Sequence, residues 1–146
     1  MHLALRLVHL LSTAVWFAST LTTAGDVRRS VDRGGPHCPA MLDRVRRSLV
    51  LSSVAGLFVI ASGLGLVFAA GGFKAVPVRI HIGFALSLVA LSIEAGVLNG
   101  AFRSMGDALA EGRADEARGG ARRFAAFNGV LHLLRTVTFV LMVWRS

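Results

Sequence analysis

The chain has 146 residues, the size of one compact unit. Hydrophobic residues make up 54% of it and charged residues only 16%, with a mean hydropathy of +0.64, which excludes a water-soluble globular domain. Its 16 Lys and Arg against 8 Asp and Glu leave a formal charge of +8, but the cations fall between apolar stretches, which excludes a nucleic-acid partner and points to loops beside anionic lipid.

A helix needs about 20 residues to cross the hydrocarbon. Four stretches meet that length, about 3–24, 48–71, 77–101 and 124–144, and leave no soluble domain. They predict an all-α, integral membrane four-helix bundle, up-down-up-down, as a single domain over 1–146. The first stretch ends at Gly25-Asp26 like a signal peptide, but Arg6, His9, Ser12 and Thr13 interrupt its apolar core, so it is read as a span. Along it His2, Arg6, His9, Thr13, Trp16, Thr20 and Thr23 recur at alternating steps of four and three, one stripe on a helix. The neighbouring row Leu3, Leu7, Leu10, Ala14, Phe17 and Leu21 is apolar, which turns the polar row to the bundle interior.

The first connector holds His37-Cys38 between prolines, two ligands where a metal needs three or four, and reads as a loop. The lone Cys38 excludes an intramolecular disulfide. Span two carries Ser52, Ser53, Gly56, Ser62, Gly63 and Gly65, small residues that let helices approach closely. Span three places His81, Ala85, Leu88, Ser92 and Asn99 on one side, taken as the interior one, with Glu94 about 220° round the helix from His81. The third connector, with Gly112, Gly119 and Gly120 among acidic residues, reads as solvated. Span four repeats a polar row at Asn128, His132, Arg135, Phe139 and Met142.

Eleven of the 16 basic residues lie in connectors one and three, while Lys74, Arg79 and Arg145 lie on the opposite side. The positive-inside rule then puts those connectors in the cytoplasm and both termini outside, as in a multi-pass protein of a bacterial-type inner (plasma) membrane.

His9 lies about 9 Å and His81 about 6 Å from the outer ends of spans that run in the same direction, so the two imidazoles are expected to face each other. His132 lies deeper, about 18 Å in. Paired interior histidines hold b-type haem in helical bundles. The expected cofactor-binding residues are therefore His9 and His81 as ligands, Arg6, Arg79 and Arg135 on propionates, and Trp16 and Asn128 on the same polar rows; His132 is a third candidate metal ligand. The role would be electron transfer or oxidoreduction of a quinone or tetrapyrrole. Two alternatives stay open: a copper-handling protein with His2, His9, His81 and His132 along an interior path, and a cofactor-free accessory subunit of a homo-oligomer or larger membrane complex.

Leu7-Val8-His9 to Trp16-Phe17-Ala18 resembles the first helix of the HemJ-type membrane protoporphyrinogen oxidases, in which a histidine is followed seven residues later by Trp-Phe-Ala. Ser62-Gly63-Leu64 looks like their Thr-Gly-Leu in helix two, His81 falls where they have a His-x-Lys segment, and Arg123-Phe124 to Asn128 resembles their lead into helix four. CopD-like copper-resistance domains share the same outline. The resemblance implies a haem-binding bundle with His9 as an axial ligand. It departs after His81, where Ile82 and Gly83 replace the lysine segment, and after Asn128, where Gly129 replaces an acidic residue.

Overall fold

A computed structural model describes residues 2–35 and 37–144, the side chain of His2 excepted; Arg145 lies outside the described residues. All regular structure among them is helical: α1 (His2–Ala18), α2 (Thr23–Arg33), α3 (His37–Ala69), a 3-10 turn (Phe73–Ala75), α4 (Val78–Ile93), a π-helical segment (Glu94–Leu98), α5 (Asn99–Ala110) and α6 (Ala114–Val143). These form four arms of 31, 33, 33 and 30 residues, each long and apolar enough to cross a membrane. The chain is thus built as a multi-pass membrane protein. At 1.5 Å per residue the arms run about 45–50 Å, well beyond a hydrocarbon core of about 30 Å.

The excess length lies at one end, where the sequence led us to expect loops. Residues 25–47 and 102–123 are helical apart from short turns, and Gly34, Gly35 and Gly112 supply the positive φ those turns require. The physical reason is amphipathic spacing: Val27 and Val31, Met41 and Val45, Met105 and Ala108, and Ala117, Ala121 and Phe124 recur every three or four residues and form one buried cluster. The arginines between them point outward. Gly120 lets α5 and α6 touch, since a Cβ there would stand 2.9 Å from the Met105 Cβ.

At the other end the outward positions are apolar, Leu3, Leu7, Leu10, Leu57, Phe58 and Leu133 among them. Here α1 packs along α3, and α4 along α6. Small residues on α3 set the spacing, as the sequence implied: a Cβ on Gly56 would come within 2.9 Å of the Trp16 indole nitrogen, and one on Gly63 within 3.3 Å of the His9 ring. The change from charged to apolar surface falls at one level on three arms, between Arg47 and Val50, Val97 and Arg103, and Arg123 and Phe127.

Candidate functional site

Just inside that level a buried ion pair joins the four arms. Glu94 and Arg135 are 0% and 3% exposed, and Nη2 of Arg135 donates to Oε2 of Glu94 at 2.5 Å. A charge in this position is tolerated only when matched and hydrogen-bonded, and both conditions are met. Arg135 also donates to the Trp16 carbonyl (2.8 Å), the Thr20 hydroxyl (3.0 Å) and the Ser52 hydroxyl (2.9 Å), so four of its five donors are used. Glu94 accepts further bonds from the Trp16 indole N–H (3.1 Å) and the Ser53 hydroxyl (3.4 Å), and the guanidinium lies 4.6 Å from the centre of the Trp16 ring.

Two local irregularities make room for this network. The first arm breaks at residues 19–22, where side chains capture the carbonyls that would continue the helix. Arg135 takes that of Trp16, while Asn128 Nδ2 (3.1 Å) and the Thr23 hydroxyl (2.8 Å) take that of Thr20. The third arm has its π-helical segment beginning at Glu94 itself. Its buried positions step 83, 87, 90, 94, 98, and the two successive steps of four mark the extra residue the wider turn absorbs. Such bulges recur at functional sites.

Next to the network lies a mostly apolar cavity of about 260 Å³, lined by His9, Thr13 and Trp16 on α1, Val59 and Leu66 on α3, Ser87 on α4 and Arg135, Phe139 and Met142 on α6. Leu10, Phe139 and Val143 line it and are also exposed on the outer surface, so its wall between α1 and α6 faces the lipid side. His9 is held there by α3. Its Nδ1 lies 2.9 Å from the Ser62 hydroxyl, which also donates to the Phe58 carbonyl at 2.5 Å. The contact with α3 fixes the orientation of the ring at the cavity wall.

The remaining sequence candidates are dispersed. His81, expected to face His9, lies off the buried face of α4, which is formed by Gly83, Ser87 and Ala90. Its ring packs on Phe73 at 5.6 Å, and its Nδ1 is 3.3 Å from its own Pro77 carbonyl. Ala85, Leu88 and Ser92, taken as interior with it, are exposed, because the helix is turned to bury Glu94 against Arg135. His132 Nε2 is 3.4 Å from the Thr20 hydroxyl, its ring packs edge-on against Phe17, and its buried Nδ1 has no hydrogen-bond partner among the described residues. Arg135 is not available for a propionate, since Glu94 matches its charge. Arg79 lines a separate hollow with Val140 and Trp144, and Arg6 is exposed. Trp16 and Asn128 serve the buried network, Asn128 keeping its Oδ1 without a partner among the described residues.

A porphyrin clamped between two imidazoles needs two histidines on one space, and among the described residues His9 is the one histidine that lines this cavity. The residues therefore do not fit a bis-histidine haem. No group of three or more His, Cys, Asp or Glu side chains that could hold a metal occurs among the described residues. No known protein family, curated protein or solved structure matches the chain.

Sequence reasoning passed over Glu94 because it sought partners for histidines. The signal was present: Glu94 is the only acidic residue in the four apolar stretches, and Arg135 lies deep in the last of them.

Proposed function

We propose that this chain is a membrane protein of electron transfer or oxidoreduction that holds a b-type haem through His9 alone, in the cavity beside the Glu94–Arg135 pair. The observation that carries the reading is His9 itself, its ring anchored through Nδ1 at the Ser62 hydroxyl and lining an apolar cavity bordered by all four arms. The lipid-facing wall between α1 and α6 supports entry of a flat apolar group from the bilayer, and a quinone or tetrapyrrole substrate would use the same route. A porphyrin exceeds the cavity volume, so loading requires α1 and α6 to part. In a bacterial-type inner membrane the arginine-rich end lies in the cytoplasm and both termini outside.

The test is the optical spectrum of protein purified after growth with added haem. A Soret band is expected, with occupancy strongly reduced in His9→Ala and near the parent level in His81→Ala. No band in the parent, or equal loss in both variants, overturns the assignment. One observation favours a copper reading as the second choice: Met142 and His9 line the same cavity, and a thioether with an imidazole suits Cu(I). Stoichiometric copper without porphyrin would select it.

A further inference from the structure

A groove of about 510 Å³ runs between α3 and α5 at the level where the surface changes from charged to apolar. Arg46 and Arg103 stand on its charged side, Val50, Val54 and Phe102 form its apolar wall, and Asn99 lies between them. Neighbouring cations are neutralised: Arg47 pairs with Asp43, and Arg44 with Asp26. Arg46 and Arg103 form no ion pair among the described residues, the Asn99 amide makes no hydrogen bond there, and no carboxylate lines the groove.

We propose that this groove is a binding site for the headgroup of an anionic phospholipid, with Arg46 and Arg103 gripping the phosphate, Asn99 reaching the glycerol region, and an acyl chain lying along Val50 and Val54. The chemistry is specific in two respects. Guanidinium forks match phosphate oxygens geometrically, and two of them flank one groove. The apolar wall continues directly onto the exposed aliphatic surface of α3, so one molecule satisfies both halves only if it carries phosphate and hydrocarbon together. The inference depends on the chain lying in a bilayer and is independent of any cofactor.

The experiment uses the full chain in detergent with phosphatidylglycerol or phosphatidylcholine added, and native mass spectrometry to read retained lipid. Retention of phosphatidylglycerol over phosphatidylcholine is expected, falling about a hundredfold in R46Q/R103Q, since each charge-assisted hydrogen bond to the phosphate is worth about tenfold. R122Q/R123Q removes the same charge at the same level on α6 and is expected to retain lipid near the parent value. Equal loss in the two double variants would reduce the effect to diffuse surface attraction and overturn the site. So would equal retention of both lipids, or displacement of phosphatidylglycerol by an equal concentration of inorganic phosphate. Helical circular dichroism checks folding, and if R46Q/R103Q does not fold, the single variants carry the test, each losing about tenfold.

Discussion

At the arginine-rich end, Val27, Met41, Val45, Met105 and Phe124 fill the interior and charges face out; at the apolar end, Leu7, Leu57 and Leu133 face out while Thr20, Ser52, Glu94 and Arg135 are buried. The same four arms thus reverse their pattern along their length. In water, removing apolar side chains from solvent drives association. In hydrocarbon a leucine gains nothing by turning inward, so the helices are joined by close approach at glycines, by hydrogen bonds and by one matched pair of charges. The boundary between the two regimes is where the π-helical segment and the break in the first arm occur.

The largest expected effect tests the polar half of that contrast. Arg135→Ala or Glu94→Ala leaves a buried charge unmatched and is expected to cost about 3–5 kcal/mol in mixed-micelle unfolding, with the double leucine replacement costing less than the sum of the two. Single costs below about 1 kcal/mol would mean that the pair does not hold the apolar end together. At the arginine-rich end, Met41→Ala is expected to cost about 2–5 kcal/mol, because Met41 is fully buried in a water-facing core. The Asp26–Arg44 pair sharpens the comparison from the other side. Its side chains are 33% and 56% exposed, so Asp26→Asn should cost about 0.2–1 kcal/mol, and less as salt is raised, whereas the penalty at Glu94 should be insensitive to salt. Smallest of all, Leu57→Ala changes only the lipid-facing surface and is expected to stay within about 0.5 kcal/mol.

Much of the apolar end was legible from spacing. The row of Thr13, Trp16, Thr20 and Thr23 on the first arm is turned inward with Leu7, Leu10 and Leu21 outward, and Gly56 and Gly63 meet the side chains of that row. The arginine-rich end was misread as loops because its charges drew the eye, although Val27 and Val31 or Met41 and Val45 already carried a helical period. His81 was misplaced for a different reason. Rotation of a helix about its own axis is decided by the costliest group to strand, here Glu94 rather than an imidazole.

What the sequence alone determined is the membrane class, the four apolar spans and their small-residue packing, since each follows from local hydropathy and period. Only the tertiary structure decided that Arg135 meets Glu94, 41 residues away in sequence, and that Ser62 meets the ring of His9. Periodicity specifies which residues share a face, but which faces meet, and at what depth, depends on how the arms rotate against one another to leave no buried charge unmatched.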